Sequence, residues 1–322
     1  MKRGGLAVLI AAGCLLAGML AGAVPLTPVA LWRGVVDPSA PSAEIIRNLR
    51  LPRVFLAFLV GGSLGVCGAA LQALVRNPLA EPYLLGLSGG AGLGAVVAIG
   101  LKLASSWAVP IAAFAGALAA VALVYRLSQV EGRRLDPRVL LLAGVVVGAF
   151  ATALMSAIIV LSDAVQLRNV FLWLLGGLSR SSWEALGIFL FYAIIPLTLL
   201  FLSARSLDLL VLGEETAHHL GSNVERTRVI IYLTTALLTA AGVATCGIIG
   251  FVGLVVPHAV RRIWGPLHRT MLPFTFLVSG CFLVLADAVA RTIVRPAELP
   301  VGIVTALIGV PVFALLLRRT LA

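Results

Sequence analysis

Few residues of this sequence combine the types and the spacing that chemistry requires. His218 and His219 are adjacent, so on a helix they point to different faces, whereas a chelating pair needs i, i+4 spacing. The cysteines form no CxxC pair and lie inside apolar runs, which is typical of buried small hydrophobic residues. They are Cys14, Cys67, Cys246 and Cys281. Neither GxxxxGKS nor GxxxxGKT occurs, so the sequence predicts no phosphate-binding loop for a nucleotide. Together these patterns predict no catalytic, cofactor-binding or metal-binding residue in this chain.

The composition predicts an all-α, polytopic membrane protein. Of the 322 residues, 61% are hydrophobic and only 11% are charged, which is too few polar groups to cover a soluble domain. A helix needs about 20 apolar residues to cross a bilayer, and about ten runs qualify if the shortest is counted as a partial span. Their continuous apolar character excludes a β-barrel. The runs are 6–26, 54–75, 83–101, 107–125, 139–161, 185–203, 229–248, 249–260, 271–290 and 300–317. We expect residues 1–322 to form one transmembrane domain.

The charge distribution predicts the orientation of these helices. An even number of spans places both termini on one side, and a cytoplasmic N-terminus gives the cytoplasmic loops the larger share of the 24 lysines and arginines. The net charge of +11 does not indicate nucleic-acid binding, because the cations lie between apolar runs without an aromatic-basic array. We interpret 6–26 as an uncleaved first helix because it is long enough to span. The alternatives are a signal peptide with its cleavage site at 21–23 and a lipoprotein signal ending at Cys14.

Three motifs carry a resemblance to a known family. A loop between the second and third runs reads RNPLAEP (76–82), a later stretch reads GFVGLVVPH (250–258), and an Asp287 to Arg291 pair precedes ELPVG (298–302). The chain resembles the permease subunits of the FecCD family, which belong to binding-protein-dependent ABC importers for iron-siderophores, haem and cobalamin. The resemblance implies a homodimer in the bacterial plasma membrane with the pathway at the dimer interface. The implied partners are two copies of an ATPase subunit, which would bind ATP and magnesium, and a periplasmic or lipid-tethered binding protein.

The resemblance also implies which arginines dock the binding protein. Arg50, Arg53 and Arg291 match the positions that receive acidic residues from the two lobes of that protein. Arginine suits this role because it stays charged and forms forked pairs with carboxylates. Asp287 lies one turn before Arg291 and could occupy it, so Arg295 is an alternative candidate. Arginines at the ends of spans can also serve only as anchors at the membrane surface.

The same resemblance assigns a gate and a coupling segment. Asn77 and Leu79 would lie at the cytoplasmic gate, and Thr152 and Ser156 either line the pathway or bond to the backbone of their own helix. The segment 207–228 resembles the GExxAxxLG element that inserts into a groove of the ATPase. Its coupling residues are Gly213, Glu214, Glu215, Ala217, Leu220 and Gly221. We expect two short helices broken at Gly221, the second capped by Ser222 or Asn223.

Local patterns give three smaller expectations. Glycines at four-residue spacing, such as Gly61 and Gly65, predict faces where helix backbones approach closely. The apolar stretch 170–175 is too short to span and predicts a short helix at the outer mouth. His258 is expected to fix a helix end through a hydrogen bond.

A secondary transporter or channel that acts without an ATPase is the alternative function. Such carriers normally place carboxylates or broken helices at the middle of the membrane. Here the ionisable residues fall near the predicted ends of the spans, which argues for energy supplied from outside the membrane. The sequence does not identify the chelate that would be carried.

Overall fold

Fourteen α-helices form most of the described part of the chain. The computed structural model describes residues 2–22, 24–103, 105, 107–130 and 134–321, so Ala23 of the possible cleavage site lies outside the described residues. The helices are α1 Lys2–Leu20, α2 Pro28–Val36, α3 Leu51–Leu74, α4 Leu87–Gly100, α5 Ala108–Leu127, α6 Pro137–Val160, α7 Ala164–Leu174, α8 Trp183–Leu202, α9 Ala204–Leu212, α10 Glu214–His219, α11 Val224–Cys246, α12 Val252–Trp264, α13 His268–Ala290 and α14 Val301–Leu321. The all-α class is therefore confirmed.

Three short elements join these helices. A π-helix, Ile45–Arg50, leads into α3, and a 3-10 helix, Pro82–Leu85, leads into α4. Between α5 and α6 a minimal antiparallel ladder pairs β1, Gln129–Val130, with β2, Arg134–Leu135. This ladder turns the chain between two long apolar helices.

Six helical segments are long and apolar enough to cross a membrane. They are Ile45–Leu74, Ala108–Leu127, Pro137–Val160, Trp183–Leu202, Val224–Cys246 and His268–Ala290. Shorter apolar helices cover Gly4–Leu20, Leu87–Gly100 and Val301–Leu315, and the predicted partial span 249–260 corresponds to α12, of 13 residues. Each predicted run thus contains a helix, while a count of ten crossings stays a prediction.

Helix α3 is the centre of the bundle. In its apolar window 83% of the residues are buried, against 28% in α5, α6 and α8. It packs closely on its neighbours because glycines remove the side chains at the contacts. A Cβ at Gly61 would lie 2.6 Å from the Ser279 carbonyl oxygen of α13, and one at Gly68 would overlap the Gly253 carbonyl of α12. The predicted packing role of the spaced glycines is confirmed in α3.

The two ends of α3 define the two ends of the bundle used below. The arginine end holds Arg50, Arg53 and Arg291, and the α10 end holds α9, α10 and the 75–81 loop that follows α3. With 24 residues at 1.5 Å each, α3 separates them by about 36 Å.

The predicted break in the 207–228 segment is partly wrong. The two short helices, α9 and α10, meet at Gly213, which has φ +112°. Gly221, with φ +80°, instead separates α10 from the long helix α11. Asn223 caps α11, since its Oδ1 accepts a hydrogen bond of 3.0 Å from the Arg226 amide. Both glycines suit a break because a positive φ costs glycine little.

The smaller expectations have mixed outcomes. The 170–175 stretch belongs to α7, which begins earlier because Asp163 and Gln166 form a capping box. Cys67, Cys246 and Cys281 are buried and Cys14 is partly buried, as predicted. The hydrogen bond expected of His258 is not made by its Nε2, which is buried without a partner in the described part of the chain.

The contact between α3 and α12 gives a stability prediction. Gly68→Ala should lower the free energy of unfolding by about 1–3 kcal/mol, because the new methyl group would meet backbone that cannot rotate away. Thermal unfolding of the purified chain in one detergent measures this effect. Gly187→Ala in α8 is the matched control, since its Cβ meets nothing within 4 Å. Equal melting temperatures for the two variants would contradict the close packing.

Candidate transport and coupling sites

Two of the three sequence motifs meet in space at the start of α12. Helix α11 ends at Cys246, and residues 247–250 form no helix before α12 begins. Glu81 of the RNPLAEP loop accepts a hydrogen bond of 2.6 Å at Oε1 from the Phe251 amide. The Tyr83 hydroxyl oxygen accepts one of 3.1 Å from the Ile249 amide. The first motif, together with the residue that follows it, therefore supplies acceptors for the amides of Ile249 and Phe251, which lie before the first turn of α12.

The Glu81 carboxyl caps a strained helix start. Phe251, the residue before α12, has φ +68°, a conformation that a bulky residue rarely adopts. A negative acceptor is favourable at this position because the first amides of a helix lack partners and carry partial positive charge. Burial raises the pKa of the Glu81 carboxyl, and the hydrogen bond from the Phe251 amide opposes this rise.

Gln72 ties the last turn of α3 to α12. Its Nε2 donates to the carbonyl oxygens of Gly253 and Leu254 at 3.3 and 3.4 Å. Its Oε1 accepts a hydrogen bond of 3.1 Å from Arg261 Nη2. Sequence reasoning missed this residue, although a glutamine within a long apolar run is a signal for a buried polar partner.

The predicted gate residues lie in the 75–81 loop at the α10 end. Asn77 is exposed and Leu79 is partly buried. The Asn77 Oδ1 accepts a hydrogen bond of 2.9 Å from the Leu79 amide, which closes a turn within the loop. Arg76 precedes this turn with φ +51°. The loop thus holds a defined non-helical shape, and Pro78 adds rigidity to it.

The coupling segment contacts this loop through Glu214. The Glu214 carboxylate at the start of α10 pairs with the Arg228 guanidinium of α11, and its Oε1 lies 3.7 Å from Arg76 Nη2. Ala217 is buried, whereas Glu215, Leu220 and Gly221 are exposed. The structure therefore brings the predicted gate and coupling residues together at one end of the bundle.

A second link fixes α9 to α13. The Asp208 Oδ1 of α9 accepts a hydrogen bond of 2.9 Å from the His268 amide and lies 2.6 Å from His268 Nδ1. The carboxylate therefore caps the start of α13. Sequence reasoning did not single out either residue, because 60 positions separate them.

Arg50 and Arg291, two of the predicted docking arginines, bind the end of α1. The Arg50 Nη1 donates to the carbonyl oxygens of Met19 and Leu20 at 2.6 and 3.0 Å, and its Nη2 donates to that of Val24. Arg291 donates to the carbonyl oxygens of Gly18 and Ala21 at 2.9 and 2.6 Å. Both arginines are buried. They satisfy carbonyls that the last turn of a helix leaves without partners.

Arg53 belongs to a carboxylate network beside them. Its Nη2 lies 2.8 Å from Asp287 Oδ1 and its Nη1 lies 2.9 Å from Glu298 Oε2. Asp287 also pairs with Arg291 at 2.8 Å, so the i, i+4 pair expected from the sequence is present. The ion pairs join two guanidinium groups, those of Arg53 and Arg291, to two carboxylates, and so balance. Arg50 beside Arg291 adds one positive charge that has no ion pair in the described part of the chain. Arg295 is exposed.

Thr152 and Ser156 lie on an exposed face of α6. Thr152 donates 2.8 Å to the Gly148 carbonyl, and Ser156 donates 2.9 Å to the Thr152 carbonyl. Both hydroxyl groups are thus used within their helix while remaining accessible. Val145, two turns before Thr152, and Val160, one turn after Ser156, lie on the same side of the helix and are 58% and 82% exposed.

Comparison with known proteins places this geometry in a family. The model of the FecCD transport family matches residues 8–319. The hemin transport system permease protein HmuU of Yersinia pestis is 41% identical over 92% of this chain and 90% of its own length. The cobalamin import system permease protein BtuC of Halobacterium salinarum is 44% identical over 85% of this chain and 73% of its own length.

A solved structure agrees with the sequence relatives. It is described as a metal-chelate type ABC transporter in an inward-facing conformation, and it superposes with a TM-score of 0.86 at 30% identity. The match covers 98% of this chain and 97% of the other. The chain therefore belongs to the FecCD transport family and is an ABC-importer permease.

Proposed function

We propose that this permease carries a metal chelate from a binding protein to the cytoplasm by alternating access. The match over nearly the whole chain to a metal-chelate type ABC transporter carries the proposal. The names of the relatives point the same way, since they include permeases for hemin, cobalamin and ferric citrate. These cargoes share a metal ion that is bound by an organic ligand. The proposed location is the bacterial plasma membrane, with both termini in the cytoplasm.

The energy comes from ATP bound with magnesium on a separate ATPase, present in two copies. No phosphate-binding loop occurs in this sequence. The buried charged residues of the described ranges lie at helix ends, as Arg50, Arg228, Asp287 and Arg291 do. A carrier driven by protons or sodium ions would need ionisable groups or half-helices around a central site. The charge placement therefore disfavours a secondary transporter or channel.

Reconstitution tests this function. The chain alone should hydrolyse no ATP. Vesicles that also contain its ATPase and binding protein should accumulate haem, cobalamin or ferric citrate only when ATP is supplied on the side of the membrane that holds the ATPase. Imposed proton and sodium gradients without ATP serve as the control. Gradient-driven uptake by the chain alone would show a secondary transporter instead.

The pathway runs between two copies of the chain. The exposed face of α6, which carries Thr152 and Ser156, supports this assignment, because a dimer would cover its large apolar side chains while its hydroxyl groups face the pathway. Asn77 and Leu79 close the pathway at the α10 end. Their loop has a fixed turn and partial exposure, as a gate requires.

The gate proposal predicts a leak. Leu79→Ala should increase the release of a trapped dye of chelate size from vesicles that contain the complex, because the proposed gate loses an apolar side chain. Leu267→Ala is the matched control, since Leu267 is 61% exposed directly before α13 at the same end and lies outside the 207–228 segment. Equal release from the two variants would remove Leu79 from the gate.

Docking of the binding protein uses Arg50, Arg53 and Arg291 at the arginine end. The three arginines outnumber Asp287 and Glu298 by one positive charge, that of Arg50, and an acidic surface would be attracted to it. Arg53 is the most available of the three, as its partner Glu298 is 34% exposed and can be displaced. Arg50 and Arg291 would first have to release carbonyl groups of α1.

Removing the Glu298 carboxylate, which competes for Arg53 within the chain, tests docking. The expected change is a higher affinity for the binding protein, which damage to the fold would not produce. Glu298→Gln should tighten binding of the binding protein by up to about fivefold at low salt, because an exposed ion pair contributes about 0.2–1 kcal/mol. The gain should shrink at high salt. Glu184→Gln removes an equal charge from an exposed position at the start of α8 and is the control. If Glu298→Gln binds no better than Glu184→Gln, Arg53 does not dock the partner.

A further inference from the structure

Glu214 lies between two arginines with different surroundings. Arg228 on one side has a side chain only 9% exposed, and its Nη1 donates 3.3 Å to the Leu135 carbonyl oxygen of β2. The Leu135 amide in turn donates 2.9 Å to Glu225 Oε1. Arg228 is therefore fixed to α11 and to the ladder between α5 and α6. It holds the Glu214 carboxylate in place.

Arg76, on the other side of Glu214, is exposed enough to move together with that carboxylate. Its side chain is 48% exposed and its Nη2 lies 3.7 Å from Glu214 Oε1. Within the described ranges this is the one ion pair between the 75–81 loop and α9 or α10. The far end of the loop is fixed separately, because Glu81 binds the Phe251 amide of α12. A displacement of α10 thus reaches the loop at Arg76, directly before Asn77.

We propose that Glu214 transmits the movement of α10 to the gate loop through Arg76, with Arg228 as the fixed pivot. The inference rests on the proposed function, since it assumes that an ATPase moves α10 and that the 75–81 loop gates the pathway. Glu214 is then a positioning residue and not only part of a surface that contacts the ATPase. Gly213 supports this role, because its φ of +112° places a hinge between α9 and α10, directly before Glu214.

Thiol labelling in the loop measures the transmission without a cargo. The chain carries a Leu79→Cys probe and is assembled with its ATPase in lipid nanodiscs, and a charged maleimide reports access to that thiol with and without ATP. The same complex lacking the probe corrects for the native cysteines. We expect ATP to change the labelling rate, and Glu214→Gln to reduce that change at least about twofold while ATP hydrolysis continues.

Matched variants separate transmission from general damage. Glu184→Gln removes an exposed carboxylate at the start of α8, outside the coupling segment, and should leave the ATP response intact. Arg76→Gln should also reduce the ATP response, and the double variant should lose no more than Glu214→Gln alone, because both changes break the Glu214–Arg76 pair. Arg76→Lys keeps the charge and should retain most of the response. Since Arg76 lies outside α10, its variants test the link even if Glu214→Gln weakens ATPase assembly.

Two results would contradict the inference, and they differ in what they say about the proposed function. A full ATP response in both Glu214→Gln and Arg76→Gln, with normal hydrolysis, would overturn the inference and leave the importer intact. An unaltered chain that never responds to ATP in the assembled complex would overturn the proposed function, and the inference with it.

Discussion

Backbone donors left free by a helix break inside an apolar bundle need acceptors from the protein, and this requirement organises the centre of the molecule. Between α11 and α12 the chain leaves the helix within a continuous apolar stretch, where lipid offers no hydrogen bonds. Tyr83 accepts from the Ile249 amide and Glu81 accepts from the Phe251 amide. An unsatisfied buried donor would cost about 1–3 kcal/mol. The RNPLAEP loop is therefore required for the shape of the GFVGLVVPH segment.

The two ends of the 75–81 loop are held by interactions of different strength. Its Glu81 end is held by a short hydrogen bond in a buried site, and Gln72 strengthens this attachment by bonding to the carbonyls of Gly253 and Leu254. Its Arg76 end is held by an exposed ion pair with Glu214, of a kind that contributes about 0.2–1 kcal/mol. A loop anchored strongly at one end and weakly at the other can change shape without losing its place. This asymmetry agrees with the proposed gate role of the loop, because the Arg76 end could move while α12 stays packed on α3.

At the opposite end of α3, arginines have two competing demands. Hydrogen bonds from a charged donor contribute about 1.5–3 kcal/mol each. Arg50 and Arg291 each donate two or more such bonds to carbonyl oxygens at the end of α1. A desolvated charge pair at an interface couples by about 1.5–7 kcal/mol, so a partner carboxylate would gain little by breaking those bonds. Arg53 would lose less interaction energy on binding a partner carboxylate, because its pair with Glu298 is partly exposed to solvent. If the binding protein docks as proposed, Arg53 should therefore contribute most of the docking energy, while Arg50 and Arg291 hold α1 in position.

The sequence predicted what depends on composition and missed what depends on tertiary partners. Apolar runs identified the helices because lipid requires length and low polarity and little else. Glycine spacing identified the close face of α3, since small residues are needed wherever backbones touch. The hinge was placed at Gly221 instead of Gly213 because both glycines permit a positive φ, and only the packing of Ala217 and the Asn223 cap distinguishes them. Glu81 and Arg228 gave no local signal of their roles, because their partners lie 170 and 14 residues away. A polar residue in this chain thus acquires its role from the element that folds against it.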